Sequence, residues 1–344
     1  MGRVGSKSVA HLPLARGPLS EMLLVELSRG PHALPPSPAA TAGPDVLGDE
    51  DLQLSLYLCY ELHYRGLPGI DERWEWDPSL LALRAELEAT FEDALRDAVA
   101  KPEHVVEPED MDLALREIEK AEGPSLSSFI RSRATLDQAR EFMIHRSAYQ
   151  LKEADPHSWA VPRLAGAAKA ALIEIQLDEY GRGRADWMHA ELFARAMRAV
   201  GLDCAYGAYL DQIPGVTLAT VNLMSLFGLH RRWRGAIVGH LALFEMTSSI
   251  PNRRYAEGLR RLGFDGEATL FFDEHVTADA VHENIACVDL AGGLARQEPA
   301  LSGDILWGAR TLAYLDARWS EQLLSAWERQ ESSLLRASLD AAAA

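Results

Sequence analysis

Apolar residues recur at helical spacing along most of the chain, and Gly, Pro and Asn separate these stretches from one another. The segment LQLSLYLCYELHYRGL, residues 52–67, carries apolar side chains on most of one side. The Asp-Pro pairs at 77–78 and 155–156 each place a hydrogen-bond acceptor at a helix N-cap and a proline in the first turn. The second pair predicts the start of one helix that extends to about residue 177. Alternating strand patterns are almost absent, so the pattern predicts an all-α fold. Further helices are predicted at about 108–121, 134–153, 186–201, 216–230, 234–247, 252–262, 274–292 and 303–335.

The Pro-, Gly- and Ala-rich segment GPHALPPSPAATAGPDVLG, residues 30–48, has almost no periodicity and favours an extended connection. We therefore predict an N-terminal arm and linker over 1–48 and an N-terminal helical extension over 49–122. The main helical bundle is predicted over 123–328, followed by the end of the C-terminal helix and a tail over 329–344.

Charge and cysteine content narrow the class of protein. The chain has 51 acidic and 34 basic residues, and a formal charge of −17 repels phosphate backbones and anionic membrane surfaces. We therefore expect neither nucleic acid nor a membrane as a partner. Three scattered cysteines without a CxxC pair indicate a reducing compartment, and no signal peptide or long apolar run is evident. The expected location is cytoplasmic.

The strongest chemical signal is a triplet in LFFDEHVTADAVHENIA, where His275, Asp279 and His282 stand four and then three residues apart. On a helix they fall within roughly 60° of arc and form one stripe. The flanking residues are largely apolar, so burying these groups without partners would cost several kcal/mol, which a metal would remove. By itself the triplet is equally well explained as a solvated polar face.

A second set of carboxylate and imidazole groups lies upstream, at Glu153, Glu179 and His189. In an unbroken helix Glu179 and His189 would lie roughly 80° apart around the helix axis and roughly 15 Å apart along it, which is too far to share an ion. Gly181 and Gly183 lie between them and permit a bend that brings both to a common centre. Taken singly, Glu179 is explained as a surface carboxylate and His189 as a core histidine.

These six residues, in this order and spacing, resemble the ligands of the heme-oxygenase-like diiron oxidases and oxygenases, also described as iron-containing redox enzymes. The segments KEADPHS, EIQLDEYGRG and FFDEHVTADAVHE are similar to those of the actinobacterial branch, as are YELHYRGL and FEMTSSIPNRR, over roughly residues 50–325. The resemblance implies a heme-oxygenase-like bundle of about seven core helices over 123–328. It also implies two irons per chain, or a Mn/Fe pair, held by Glu153, Glu179, His189, His275, Asp279 and His282, with O2 as co-substrate.

Three other residues are candidates for contacts with a ligand or the substrate. His157 lies near Glu153 in sequence, and Tyr180 adjoins Glu179. Glu245 lies among apolar neighbours and would be costly if it were buried unpaired. Glu61 and His63, in contrast, point about 200° apart on a helix and cannot hold one ion together.

The resulting functional hypothesis is a nonheme diiron, O2-dependent oxidase or oxygenase that acts on a small organic substrate such as an amino acid, an amine or a fatty-acid-like molecule. The remaining electrons would come from the substrate or from a separate electron donor, because no flavin, nicotinamide or iron–sulfur motif is evident. A second copy of the chain, forming a homodimer, is a further expected partner. The alternatives are a metal-free heme-oxygenase-like hydrolase resembling thiaminase with Cys204 as nucleophile, a small-molecule binder, and a non-catalytic helical interaction protein.

Overall fold

The structure, a computed structural model, describes residues 11–38, 43–101, 106–120 and 125–335, except for the side chains of residues 279–281. These ranges contain fifteen α-helices and no strand, which confirms the all-α prediction. In chain order the helices are α1 (Pro18–Leu27), α2 (Glu50–Glu61), α3 (Pro78–Ala98), α4 (Met111–Glu119), α5 (Leu126–Ser132), α6 (Leu136–Gln150), α7 (Asp155–Ser158), α8 (Gly166–Glu179), α9 (His189–Ala199), α10 (Gly215–Leu229), α11 (Arg234–Met246), α12 (Ser249–Arg261), α13 (Leu270–Asn284), α14 (Gly292–Gln297) and α15 (Ser302–Glu328).

The segment predicted as an N-terminal arm, before residue 30, contains α1, which packs against α2. Leu19, Leu23 and Leu27 recur every four residues and are buried along one side of this helix. The Asp51 carboxylate on α2 accepts hydrogen bonds from the backbone N–H groups of Leu19 and Ser20, at 2.8 and 2.7 Å. The short leucine repeat gives this part of the arm a face to bury.

The single helix predicted from Asp155 is broken in two. Asp77 does cap α3 as predicted, by accepting from the backbone N–H groups of Ser79 and Leu80. Asp155 caps nothing, and its carboxylate accepts from the Tyr180 hydroxyl at 2.8 Å. Pro162 lies in a 3₁₀ turn between α7 and α8, where it cannot supply the N–H that a continuous helix needs.

Helices α11 and α15, at the centre of the bundle, lie close together because glycines are located at their contact. Gly239 on α11 faces the backbone carbonyl of Ile305, and Gly308 on α15 faces that of Ala236. A Cβ atom at either position would lie inside van der Waals contact with the opposite backbone. This contact fixes the axial position of α11, which carries Glu245 near its C-terminal end.

The helices that carry the predicted site lie where two apolar clusters meet. One cluster contains buried residues of α2, α8, α10, α11 and α15, and the other contains those of α6, α9, α12 and α13. After His282, α13 continues as a π-helix over Ile285–Ala291, which packs against α8 and α11. Helices α8, α9, α11 and α13 therefore direct polar side chains into the same interior region.

The glycine contact between α11 and α15 predicts a position-specific loss of stability. Gly239→Ala is expected to lower the free energy of unfolding by about 1–3 kcal/mol or more, because the added methyl forces the two backbones apart. Gly303→Ala, near the start of α15 where a Cβ meets open space, is the matched control and should change stability by under about 1 kcal/mol. Urea denaturation of the two variants measures the difference, and equal stability would contradict the proposed contact.

A buried histidine predicts part of the acid sensitivity. His145 on α6 contacts Thr217 Oγ1 at 2.7 Å and Ser333 Oγ at 3.0 Å, and burial together with the Arg146 charge lowers its pKa to about 3. The unfolded chain takes up a proton near the ordinary pKa of about 6.5, whereas the folded chain excludes it, so stability falls as the pH drops below that value.

Between pH 7 and pH 5 the free energy of unfolding should therefore fall by about 2 kcal/mol more in the wild type than in His145→Gln. Because the comparison uses each protein's own change with pH, the intrinsic cost of the substitution cancels. His11→Gln, at an exposed histidine, is the control for the loss of an imidazole. An unchanged slope in His145→Gln would rule out this contribution.

Candidate metal centre

Two groups of buried side chains bring nitrogen and oxygen donor atoms within 4.8 Å of one another. Glu179 belongs to both, so the groups are adjacent and share one carboxylate. Three carboxylates and three imidazoles are therefore collected from five parts of the chain. The first group is Glu153, Glu179, His189 and His275, and the second is Glu179, Glu245 and His282.

Glu153 lies on a tight turn after α6, and contacts from several sides hold that turn. Ala154 adopts a positive φ of 74°, which is unfavourable for a residue with a Cβ. The Ala154 carbonyl accepts from Gln176 Nε2 at 2.9 Å, and the Leu151 carbonyl accepts from Arg65 Nη2 at 2.7 Å. Lys152 is tied to Glu61 by a buried ion pair of 2.8 Å. These contacts fix the turn and direct Glu153 inward.

The bend predicted at Gly-Arg-Gly is present between Glu179 and His189. Helix α8 ends at Glu179, Gly181 and Arg182 take φ values of 64° and 51°, and α9 begins at His189. A Cβ at Gly181 would lie 2.6 Å from Met188 N, so only glycine fits this crossing. The bend brings His189 Nδ1 to 3.0 Å from Glu179 Oε2.

Helix α13 supplies His275 and His282, each held by a hydrogen bond at one ring nitrogen. His275 Nδ1 bonds to the Phe271 carbonyl at 2.8 Å, which leaves Nε2 3.6 Å from Glu153 Oε1. His282 Nε2 bonds to Asp178 at 3.1 Å, and its Nδ1 lies 3.4 Å from Glu245 Oε2. Partners of this kind set the tautomer and the ring orientation of metal-binding histidines.

The predicted set and the observed groups differ in two places. The side chain of Asp279 lies outside the described residues, so its role as a ligand stays a prediction. Glu245, predicted as a possible contact of a ligand or the substrate, is instead a member of the second donor group. Its isolation among apolar residues on α11 was the signal that it needed a partner.

Asp178 contacts one of the donor histidines, which the sequence pattern did not indicate. It precedes Glu179 on α8 and therefore points away from it by about 100°. Its carboxylate reaches His282, which is more than a hundred residues away in the chain. The signal in the sequence was only the adjacent Asp-Glu pair, which is common on helix surfaces.

His157 and Tyr180 lie beside the two groups without belonging to them. His157 Nε2 is 3.1 Å from His240 Nδ1, and burial lowers the pKa of His157 to about 4. The ring borders a cavity of about 10 Å³ that Glu153, Glu179, Glu245 and His275 also line. The Tyr180 hydroxyl bonds to Asp155 and to Ser158 at 2.9 Å, so it holds α7 in place.

The electrostatics of the cluster fit a bound cation. Glu153 Oε2 is buried and has no hydrogen-bond partner among the described residues. Burial raises the pKa of Glu179, but the charges of His189, His275 and His282 outweigh it and hold the pKa at about 2. Burial lowers the pKa of His282, but Glu245 and Asp178 outweigh it and raise the pKa to about 9. An ionised Glu179 in this interior requires positive charge nearby, and carboxylate with imidazole is a donor set that iron and manganese accept.

A second cavity, of about 90 Å³, adjoins the cluster and shares Glu153 and His275 with it. One part of its wall is aromatic, and another part is polar. Arg146 lies in the polar part, and its Nη2 atom is 3.3 Å from Asp316 Oδ1. The aromatic residues are Phe142, Phe193, Phe244, Phe271 and Phe272, and the polar ones include Arg146, Gln150, Asn252, Tyr255 and Asp316.

Cys204, the nucleophile of the metal-free alternative, lies in the loop after α9. Its Sγ accepts from Arg198 Nη1 at 3.2 Å. Among the described residues, no imidazole is hydrogen-bonded to this sulfur. An arginine donates hydrogen bonds but cannot accept the proton of a thiol. Every helix in the described ranges is too short or too polar to cross a lipid bilayer.

The glycine bend predicts a difference between two neighbouring variants. Gly181→Ala and Gly183→Ala both place an L side chain at a positive φ, but only Gly181 also faces backbone atoms at 2.6 Å. Gly181→Ala should weaken Fe(II) binding about tenfold or more, because it moves His189 away from Glu179. Gly183→Ala should keep near-wild-type binding. Anaerobic titration against a competing chelator measures both, and equal affinities would contradict this role for Gly181.

Comparison with known proteins agrees with this geometry. No curated protein matches the chain. The profile of the family described as iron-containing redox enzyme matches residues 140–317, more than half of the chain and the part that carries both donor groups. The all-α fold fits the heme-oxygenase-like bundle of that family. This chain therefore belongs to the iron-containing redox enzyme family.

Proposed function

We propose that the protein is a nonheme diiron enzyme that uses O2 to oxidise a small organic substrate. The observation that carries the proposal is that Glu179 takes part in two adjacent groups of buried donors. One carboxylate between two donor groups is the arrangement expected for a pair of ions that share a ligand. A single-ion site would need only one of the groups.

Each iron is assigned its own ligands. Glu153, His189 and His275 would hold one, and His282, Glu245 and the predicted ligand Asp279 would hold the other, with Glu179 between them. Because carboxylate and imidazole donors accept either metal, a Mn/Fe pair would use the same residues. When bound, the metal pair supplies redox electrons and open coordination positions for O2.

The protein's own residues prepare the site for that chemistry. The Phe271 carbonyl and Asp178 hold the His275 and His282 rings, so that the opposite nitrogens face the donor groups. The members of the two donor groups are at most 7% exposed, which keeps bulk water from the reacting region. Burial without hydrogen-bond partners leaves Glu153 Oε2 with an uncompensated lone pair directed into the site.

The substrate is assigned to the cavity beside Glu153 and His275. Its aromatic wall would contact an apolar body, and Arg146 with Asp316 would bind polar end groups. Such a lining suits an amino acid, an amine or a fatty-acid-like molecule. The electrons not taken from the substrate would come from a separate donor.

Metal stoichiometry tests the proposal. After anaerobic loading with Fe(II) and removal of excess metal, the wild type should retain about two irons per chain. Glu179→Ala should retain less than one, because both positions lose a ligand. Glu174→Ala, at an exposed glutamate on the same helix, is the matched control and should retain two. On exposure to O2, the loaded wild type should consume O2 and show a transient visible absorption.

Two results would refute the proposal. Iron at background level in a folded wild type would exclude a metal enzyme. Iron binding in Glu179→Ala equal to that of the wild type would exclude the shared carboxylate. Circular dichroism of both variants establishes that any loss of iron is not a loss of fold.

A further inference from the structure

A separate cavity of about 490 Å³ opens between α2 and the loop that precedes α10. It shares no lining residue with the two donor groups or with the cavity beside them. Cavities of roughly 300–1,000 Å³ are the size that binds small organic molecules. The lining residues used below are Tyr57, Glu61, Arg65, Leu67, Tyr206 and Ala208.

The inner wall of this cavity contains a carboxylate with one unused oxygen. Glu61 is only 1% exposed. Its Oε2 atom accepts from Lys152 Nζ and from the Tyr206 hydroxyl, both at 2.8 Å. Its Oε1 atom has no hydrogen-bond partner among the described residues. A buried acceptor without a donor costs about 1–3 kcal/mol, which a ligand carrying an O–H group would recover.

The neighbouring charge determines which kind of donor fits. Lys152 is 1% exposed, and its ammonium lies 4.2 Å from the centre of the Tyr64 ring and 5.1 Å from that of Tyr57. The ion pair and these rings hold Glu61 and Lys152 together as a nearly neutral unit. A second ammonium beside Lys152 would be repelled, so a neutral hydroxyl is the better donor for Glu61.

The exposed side of the cavity is cationic. Arg65 is exposed, and its guanidinium lies 4.4 Å from the centre of the Tyr206 ring. Its Nη2 atom donates to the Leu151 carbonyl, which leaves further N–H groups of the guanidinium for an anion. Guanidinium is well suited to a carboxylate because the two planar groups match.

We propose that this cavity binds a small carboxylic acid whose apolar body carries a hydroxyl group at the far end. The hydroxyl donates to Glu61 Oε1, the body lies between Tyr57, Tyr206 and Leu67, and the carboxylate meets Arg65. Binding at this site requires no metal and does not rest on the proposed oxidase function.

Calorimetric titration of the full chain with 4-hydroxyphenylacetate, with and without iron, tests the proposal. One saturable site of equal affinity in both forms is expected. Phenylacetate, which lacks the hydroxyl donor, should bind about tenfold or more weakly, because Glu61 Oε1 then stays unsatisfied.

Two variants locate the site and leave Glu61 and Lys152 themselves unchanged. Ala208→Trp fills the cavity and should abolish binding, and Arg65→Met should weaken it about tenfold. Arg73→Met, at an exposed arginine of the same N-terminal region, is the control and should bind like the wild type. Iron content and thermal unfolding of Ala208→Trp should match the wild type, which shows that the chain is folded.

Three outcomes would overturn the proposal. The first is absence of saturable binding, and the second is equal affinity for the two acids. The third is unchanged binding in Ala208→Trp, which would place the ligand elsewhere on the protein.

Discussion

The burial of three carboxylates beside three imidazoles is the constraint on which this structure depends. Taking such groups out of water costs several kcal/mol for each unpaired charge, so the fold must supply charge of the opposite sign. Protons on the imidazoles can supply part of it, and a metal pair can supply all of it. Glu179 is the centre of this arrangement because both donor groups include it.

The backbone adopts several unfavourable conformations near these donors. Ala154 and Arg182 have positive φ values, and a π-helix begins at Ile285, three residues after His282. Such features persist only where the surrounding packing fixes them. Here the close contact of α11 with α15 supplies a rigid frame, since Gly239 leaves no space for the two helices to shift.

The N-terminal helices take part in positioning the site. The turn that carries Glu153 is held from their side by Arg65, which bonds to Leu151, and by the Glu61–Lys152 pair. The predicted boundary between extension and bundle, at residues 122 and 123, therefore separates segments that contact each other closely. Glu61 and Arg65 also line the larger cavity, so the extension both holds the turn that carries Glu153 and borders a cavity of its own.

The sequence by itself determined the elements whose causes are local. Helical periodicity predicted the all-α class, the spacing of His275 and His282 placed them on one stripe, and Gly181 with Gly183 marked the bend before His189. Tertiary structure decided the pairing of Asp178 with His282, the entry of Glu245 into the second donor group, and the burial of α1. Those outcomes depend on which distant helices meet, and a pattern along one segment carries no information about the surface that packs against it.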